Sequence, residues 1–447
     1  MPSTIHPDAF HFDRPAASYW EATADPLGIE TPPLQGGAEC DVAIIGAGYT
    51  GLSTALHLKR DHGMDVRVLD AAFPGWGASG RNGGFSCIGC HKRSFDSLIQ
   101  EFGVEETRKF YGAMKDAVAL VKDVCESEGI DAWIHGGGEI SLAHLPGRVA
   151  ELEHERDFMA RIFGEKMELL DRNTLKERGL AGPQFHGGLR HDTGFSIHPL
   201  NYVRGLARAV ARSGVPIHGH SRVTNWREEQ GRHSLETDKG TLSARHVVVA
   251  TNGYTPEEVM PPLAGRLMPA LSNIIVTRPL SEAERNEQGW TSRLMAYDTR
   301  NLLHYFRLLP DGRFLFGGRG GTDATDGGAE PMRRHMIATL SEMFPVFAQA
   351  EITHFWRGFV CLAYDLVPYV GALDEKKSVW TALAYHGNGI AMASYAGRGL
   401  ANLIAGTPER AALPNILTRR LARFPLPALR PLYLKGAYAW FNYKDNR

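Results

Sequence analysis

The chain has 447 residues, of which 22% are charged and 43% are apolar, with a formal net charge of −1. This length predicts two domains rather than one simple core. The balanced charge and strand-sized apolar runs argue against nucleic acid as a partner and against a transmembrane segment.

The first informative elements follow an arm rich in Pro and aromatic residues, residues 1–37. A strand is predicted at 41–46, a helix at 49–62 and a strand at 66–70 that ends on Asp70. Between the first strand and the helix, residues 46–51 (Gly-Ala-Gly-Tyr-Thr-Gly) form a Gly-x-Gly-x-x-Gly turn. A strand, a glycine turn, a helix and a strand ending in a carboxylate predict a dinucleotide-binding βαβ unit. The pyrophosphate is expected at the helix N-terminus and a ribose hydroxyl at Asp70.

A glycine-dense stretch, residues 75–84, comes next. Its Ser, Arg and Asn residues predict a loop that lays main-chain N–H groups along a flat or anionic ligand. Cys87 and Cys90 lack a second ligand pair at metal spacing, so we expect two buried loop residues and no metal site. The five widely spread cysteines, an odd number, favour a reducing cytoplasm over a disulfide framework.

The middle of the chain alternates between helical and strand patterns. Apolar spacing predicts helices at 99–128, 147–163 and 198–213, a strand at 133–142, and four short strands at 217–218, 223–226, 234–236 and 246–250. The last of these strands runs directly into Thr251-Asn252-Gly253. This order suits a binding domain completed by a small antiparallel meander and a returning parallel strand.

From about 265 to 355 the pattern becomes antiparallel. Strands are predicted at 273–277, 304–308 and 313–317, with Asp311-Gly312 as a hairpin turn, followed by a helix at 331–343. A strand at 379–382 then leads through His386 to residues 387–390 (Gly-Asn-Gly-Ile) and a helix at 391–405. This second glycine turn offers another helix N-terminus to a ligand. The tail, 411–447, is predicted as an extension packed on the outside.

The distribution of these segments favours FAD over NAD. A plain nicotinamide dehydrogenase continues with alternating strands and helices, whereas this chain returns to its binding domain from distant segments. Such a domain suits the long flavin adenine dinucleotide.

The arrangement resembles the D-amino-acid-oxidase-like family of FAD-dependent amine oxidoreductases over nearly the whole chain. Within this family, the chain resembles most the γ-glutamylputrescine oxidase branch, and the similarity lies in the arm at 18–23, the loop at 78–84 and the tail. The same features do not distinguish this branch from iminodiacetate oxidase. The motifs that carry the family resemblance lie at 42–51 with Asp70, 77–84, 248–253, 312–318, 356–358 with Asp365, Pro368 and Gly371, and 387–390.

The resemblance implies an α/β (α+β) fold. A Rossmann-like FAD-binding domain would comprise residues 38–97, 190–265 and 355–410, and an antiparallel substrate domain residues 98–189 and 266–354. It also implies hydride transfer from an amine or imino acid to flavin N5, hydrolysis of the imine, and reoxidation of the flavin by O2 to give H2O2.

The cofactor contacts implied by the resemblance fall on these residues: Gly46, Ala47, Gly48, Tyr49, Thr50, Gly51, Asp70, Ala78, Ser79, Arg81, Asn82, Gly83, Val223, Thr251, Asn252, Gly253, Gly387, Asn388, Gly389 and Ile390. Main-chain groups at 387–390 would face the flavin N1–C2=O edge.

The chain departs from the family pattern near the reacting atoms. The oxygen-activating lysine of sarcosine oxidase falls on Leu315 and its nearby histidine on Arg319, and the substrate arginine of glycine oxidase falls on Val360. Arg319 is therefore the candidate for both a catalytic cation and a carboxylate anchor. Its alternative is a surface arginine paired with Asp323 or Asp326.

Three further residues have two interpretations each. Tyr305 and Arg307 are candidate substrate-binding residues, with packing as the alternative, and His386 is a candidate catalytic residue, with a hydrogen-bonded structural role as the alternative. Cys361 falls where sarcosine oxidase attaches its flavin covalently. We expect non-covalent FAD, as in the γ-glutamylputrescine oxidase branch.

Two competing functions stay open: a same-fold dehydrogenase that passes electrons to a quinone or protein, and a redox-silent flavin-binding subunit. A nicotinamide-only dehydrogenase is disfavoured by the second glycine turn.

Overall fold

Two large β-sheets organise the fold in the computed structural model, which describes residues 7–446. The first six residues of the predicted arm and Arg447 lie outside the described residues. The strands are β1 (Gly36–Ile45), β2 (Val66–Leu69), β3 (Phe85–Ser86), β4 (Glu139–Leu142), β5 (Glu168–Asp171), β6 (Gly187–His191), β7 (Phe195–Ser196), β8 (Ile217–His218), β9 (Asn225–Glu229), β10 (Arg232–Glu236), β11 (Gly240–Val249), β12 (Leu267–Thr277), β13 (Met295–Asp298), β14 (His304–Leu308), β15 (Phe314–Arg319), β16 (Ile352–Ala363), β17 (Tyr369–Ala372) and β18 (Val379–Leu383). The helices are α1 (Tyr19–Thr23), α2 (Tyr49–His62), α3 (Ala78–Arg81), α4 (Phe95–Phe102), α5 (Val104–Glu128), α6 (Arg148–Phe163), α7 (Arg172–Glu177), α8 (Pro199–Arg212), α9 (Glu282–Gln288), α10 (Ala329–Met343), α11 (Gly389–Ile404), α12 (Pro408–Ala411), α13 (Asn415–Thr418) and α14 (Arg430–Asp445).

The first sheet is the Rossmann-like sheet that the sequence predicts. Its main order is β17-β18-β11-β1-β2-β8, and β9 and β10 continue from β11 as an antiparallel meander. The neighbours β18, β11, β1, β2 and β8 all pair in parallel. Val42, Ala43 and Ile44 of β1 are fully buried because helices or strands cover both faces of this central strand.

The turn from β1 to α2 depends on glycine at two positions. Gly46 has a φ of +113°, which side chains disfavour, and a Cβ there would lie 2.9 Å from the Ala250 carbonyl oxygen. A Cβ on Gly51 would lie 1.9 Å from the Gly46 carbonyl oxygen. The βαβ unit therefore closes only with glycine at both ends of the turn.

The second sheet has the order β16-β12-β15-β14-β13-β4-β6-β5. β4 pairs with β13 in parallel, and the other neighbours are antiparallel, as predicted for this half of the chain. The predicted domain boundary at residue 355 falls inside β16, which pairs with β12 along its length. Residues 355–363 thus belong to the second sheet, and the rest of the domain division stays a prediction.

Glycines also explain two differences from the predicted elements. The helix predicted at 99–128 is divided into α4 and α5 at Gly103, whose φ is +83°. The strand predicted at 133–142 is limited to β4 because Gly136 and Gly138 both have positive φ.

Helices α2 and α11 pack directly against each other. A Cβ on Gly397 of α11 would lie 2.7 Å from the Ser53 Cβ, and the Ser53 hydroxyl donates to the Ser394 carbonyl at 2.7 Å. This close approach fixes the N-termini of the two helices relative to each other.

The arm and the tail are parts of the packed structure. Trp20 in the arm is 1% exposed, and its indole N–H donates to the Asn82 carbonyl at 2.8 Å. In the tail, Arg430 pairs with Glu257, and the Asp445 carboxylate accepts from the backbone N–H of Asn301 at 2.8 Å. The last part of the tail is therefore the helix α14, which is fastened at both ends. Within residues 7–446, no helix has the length and apolar character needed to cross a membrane.

Candidate active site

A cavity of about 660 Å³ runs between the two sheets. Its walls include the β1–α2 turn, the glycine-dense stretch, the turn before α11 and one face of the second sheet. The predicted cofactor residues on its wall are Gly46, Ala47, Gly48, Tyr49, Thr50, Asp70, Ala78, Ser79, Arg81, Asn82, Gly83, Val223, Thr251, Asn252, Gly387, Asn388, Gly389 and Ile390. Gly51 and Gly253 lie behind the wall, where they allow close packing.

The N-terminus of α2 forms one end of the cofactor region. Its N-cap, Gly48, offers no side-chain hydrogen bond, and the Ser79 hydroxyl accepts from the Tyr49 N–H at 3.0 Å. Asp70 accepts from the Ala47 N–H at 2.7 Å, and burial raises the pKa of Asp70 to about 6. Backbone donors, a hydroxyl and a carboxylate at a helix N-terminus fit a pyrophosphate and a ribose.

The glycine-dense stretch contains the short helix α3 rather than a wholly extended loop. The carbonyls of Arg81 and Asn82 accept from the indole N–H groups of Trp356 and Trp20, both at 2.8 Å. Because C=O and N–H point in opposite directions across a trans peptide, the following N–H groups are directed away from those indoles. Sequence reasoning missed the role of the arm in holding this loop.

The N-terminus of α11 forms the second helix end at the cavity. Asn388 is its N-cap but gives no side-chain cap, because its amide donates instead to the Ile88 and Gly89 carbonyls at 3.0 and 2.9 Å. The first N–H groups of α11 are thus left for a ligand. The same amide fastens the loop 87–92 to this turn.

His386 uses both ring nitrogens within the protein. Nδ1 lies 3.1 Å from the Cys90 carbonyl, and Nε2 accepts from the Ala363 N–H at 3.3 Å. Burial lowers the pKa of His386 well below its usual value, so the ring is neutral with the proton on Nδ1. This geometry supports the structural alternative, and a direct catalytic role stays a prediction.

Arg319 faces the cavity. Its guanidinium donates to the His386 carbonyl and lies 2.8 Å from where a Cβ on Gly387 would be. Burial lowers the pKa of Arg319. The structure favours the cavity interpretation over a surface ion pair, because Arg319 lines the cavity and its guanidinium is bound to the His386 carbonyl.

Lys92 is a cavity residue that sequence reasoning missed. It comes from the loop fastened by Asn388, and its side chain has no hydrogen-bond or ion-pair partner within residues 7–446. Desolvation within the cavity and the nearby Arg319 together lower the pKa of Lys92 to about 7. A lysine at this position carries no sequence motif, so only the folded loop reveals it.

Tyr305 and Arg307 have different environments. Glycines at 83 and 317 make room for the Tyr305 ring, whose hydroxyl contacts the Ser272 hydroxyl at 3.0 Å beside the cavity. Arg307 is fully buried, and it donates to the carbonyls of Gly83 and Ile197 at 3.2 and 2.8 Å. The structure thus brings Tyr305 to the cavity but places Arg307 behind the glycine loop, as the packing alternative predicts.

The second sheet presents a continuous row of residues to the cavity side. Strand register aligns Gly317, Tyr305, Tyr297, Ser141 and Leu189. Three strand spacings separate Gly317 from Ser141, a distance of about 14 Å. This face can hold a substrate along its length.

The cysteines of the cavity are poorly suited to covalent chemistry. Cys361 lines the cavity and is 1% exposed, and burial raises the pKa of its thiol. A thiol is a weak nucleophile compared with a thiolate, which supports non-covalent FAD. Cys87 and Cys90 are free and buried, as expected, and the described residues contain no cluster suited to a metal ion.

Comparison with known families decides the class of protein. Residues 41–403 match the family model described as FAD dependent oxidoreductase (DAO). The chain belongs to this family. It is therefore an FAD-dependent oxidoreductase, and the two helix N-termini and Asp70 suit its cofactor.

Individual relatives agree with the family over most of their lengths. The chain is 32% identical over 438 residues to gamma-glutamylputrescine oxidoreductase from Escherichia coli K12, covering 96% of this chain and 98% of that protein. Among solved structures, glycine oxidase from Geobacillus kaustophilus has a TM-score of 0.66 at 22% identity, covering 82% of this chain and 95% of its own. Iminodiacetate oxidase from Chelativorans sp. BNC1 has a TM-score of 0.64 at 19% identity, covering 82% and 96%. The last two likenesses confirm the α/β fold.

Proposed function

We propose that this enzyme oxidises the C–N bond of an amine or secondary imino acid. The observation that carries the proposal is the pair of basic side chains, Arg319 and Lys92, in a cavity that continues from the cofactor region onto the second sheet. The named activities of the gamma-glutamylputrescine and iminodiacetate relatives support it. Bound FAD would accept a hydride from the carbon next to the substrate nitrogen.

In this proposal Arg319 binds and orients the substrate. One guanidinium nitrogen is held by the His386 carbonyl, which fixes the direction of the group. The remaining N–H donors can bind a substrate carboxylate or carbonyl. Tyr305 and Ser272 form the neighbouring wall.

Lys92 holds and moves a proton. Amine oxidation by hydride loss needs the neutral amine, and a lysine with a pKa near 7 can accept the proton of a substrate ammonium. After accepting it, the Lys92 ammonium is a positive charge beside the turn before α11. Such a charge favours reduction of O2, so we propose O2 as acceptor and H2O2 as product; a dehydrogenase using a quinone or protein acceptor is the second candidate.

The test is anaerobic bleaching of the bound flavin by a panel of γ-glutamylputrescine, iminodiacetate, sarcosine, glycine and D-amino acids. We expect at least one amine to bleach the flavin, with peroxide formed when air is admitted. A flavin that no amine bleaches would contradict the proposed function. Bleaching without peroxide would favour the dehydrogenase.

A cytoplasmic location belongs to the same proposal. It is supported by five free, buried cysteines, which suit a reducing compartment.

A further inference from the structure

The cavity continues beyond Tyr305 into a chamber under α4 and α6. We call it the acidic chamber, and its wall includes Phe95, Asp96, Glu139, Glu155, Phe158 and Tyr297. It lies beside β4 of the second sheet, whereas Arg319 lies on β15. The acidic chamber has no role in the reaction proposed at Arg319 and Lys92.

Glu139 is the central residue of the acidic chamber. It lies on β4 opposite Met295 of β13 and His191 of β6, and it is 5% exposed. Its carboxyl group contacts the Cys87 thiol. Nevertheless, within residues 7–446 it has no ion pair with an arginine, lysine or histidine.

Three basic side chains near the chamber, Arg93, Lys115 and His191, are paired elsewhere. Arg93 binds Glu101 at 2.5 Å, whereas Lys115 and His191 lie 2.5 and 3.5 Å from Glu165. Asp96 and Glu155 line the cavity and, in the described part of the chain, form no ion pair either. Lys92, toward the flavin side, is the cation that acts on Glu139.

Burial without a bound cation is costly for a carboxylate. Burial and, to a smaller extent, the nearby Glu155 raise the pKa of Glu139 to about 8, against the lowering effects of the Cys87 contact and Lys92. Desolvation also raises the pKa of Glu155, which lines the cavity. The rings of Phe95, Phe158 and Tyr297 complete a wall whose faces can attract a positive charge.

We propose that the acidic chamber binds an ammonium group of the substrate other than the nitrogen that is oxidised. The proposal rests on the proposed function and narrows its substrate class to elongated compounds with a second amino group. Arg319 lies on β15 and Glu139 lies on β4, and three strand spacings, about 14 Å, separate these two strands. A substrate that reaches both sites therefore needs a chain between its two nitrogens. Glu139 is the main binding residue for the second nitrogen, and Glu155 adds a second carboxyl group.

The test is calorimetric binding of a series of α,ω-diamines, and of monoamines of matching length, to the FAD-loaded enzyme without O2. We expect one range of diamine lengths to bind about tenfold to a hundredfold more tightly than the matched monoamine. Glu139→Gln should remove this advantage and Glu155→Gln should reduce it. Glu153→Gln, an exposed change on α6 outside the cavity, should retain it.

Two results would overturn the proposal: no diamine advantage at any length, or an unchanged advantage in both Glu139→Gln and Glu155→Gln. If Glu139→Gln does not fold, Glu155→Gln still tests the proposal. Flavin bleaching in the same samples separates the two claims. A diamine that binds selectively but bleaches nothing counts against the proposed oxidation alone, whereas bleaching without diamine selectivity counts against the ammonium site alone.

Discussion

The two sheets bring residues to the cavity in different ways. The parallel sheet contributes turns and helix N-termini, whose backbone N–H groups bind the cofactor. A local glycine pattern is enough to predict such a site from the sequence. The second sheet contributes single side chains from strands far apart in sequence, such as Glu139, Tyr305 and Arg319. A binding site made of backbone is thus recognisable in a short segment, whereas one made of side chains emerges only from strand register.

The largest effect is expected on the backbone side, from Gly51→Ala. The new Cβ would lie 1.9 Å from the Gly46 carbonyl oxygen, so the turn must open and α2 must move. We expect loss of bound FAD and about 3 kcal/mol lower free energy of unfolding, measured by flavin absorbance and denaturant titration. The matched control is Gly112→Ala on α5, where a Cβ meets nothing within 4 Å; normal FAD binding by Gly51→Ala would refute the steric argument.

On the side-chain side, Arg319→Ala should spare FAD but weaken binding of carboxylated substrates by about 2–4 kcal/mol. The expected cause is loss of the guanidinium that the His386 carbonyl orients. The measurement is the substrate concentration that half-bleaches the flavin without O2. Unchanged apparent affinity would remove Arg319 from the substrate site.

Lys92→Met should slow the reaction of the reduced flavin with O2 about tenfold to a hundredfold, because the positive charge beside the turn before α11 is lost. Stopped-flow mixing with aerated buffer measures this rate. Lys92→Arg should restore much of it, since it returns the charge. Equal rates in the wild type and Lys92→Met would contradict the role of Lys92 toward O2.

A pH-dependent stability difference is expected for Glu139→Gln in the apoprotein. The pKa of Glu139 is about 8 in the folded state, above its ordinary value of 4.5. As the pH rises between these two values, the unfolded state loses this proton first, and the wild type therefore loses stability. The variant should match the wild type at about pH 4.5 and exceed it at about pH 8.5, by up to about 4–5 kcal/mol if the whole pKa shift is realised. Denaturant titrations at both pH values measure the difference, and a constant difference would show that Glu139 is not titrating as described.

The smallest effect is expected for Cys361→Ser. Because burial raises the pKa of this thiol, we expect no covalent flavin bond in the wild type. Acid precipitation should release the flavin from both proteins. Flavin that stays with the wild-type polypeptide but leaves the variant would overturn the non-covalent assignment.

Sequence reasoning succeeded where the signal was local. The βαβ unit, Asp70 and the second glycine turn all fall within short windows, and the structure places them on one cavity wall. It missed Lys92, because no spacing marks a lysine on an irregular loop held by Asn388. It also missed β16, whose intermediate burial on both faces gives no clean alternation.

The remaining differences have similar physical causes. Arg307 and Arg319 are both arginines on neighbouring strands, and sequence alone did not distinguish buried packing from a cavity position. The difference lies in distant partners: the Ile197 carbonyl for Arg307 and the His386 carbonyl for Arg319. The arm was likewise predicted only to precede the first strand, because nothing near Trp20 in the sequence indicates that Asn82 accepts its hydrogen bond.

The most direct test of the account is a crystal structure of the FAD-loaded enzyme. We expect the pyrophosphate at the N-terminus of α2 and the edge of the flavin ring at the N-terminus of α11, with Arg319 and Lys92 on the substrate side. A flavin ring turned away from residues 387–390, or one separated from the second-sheet face, would contradict it.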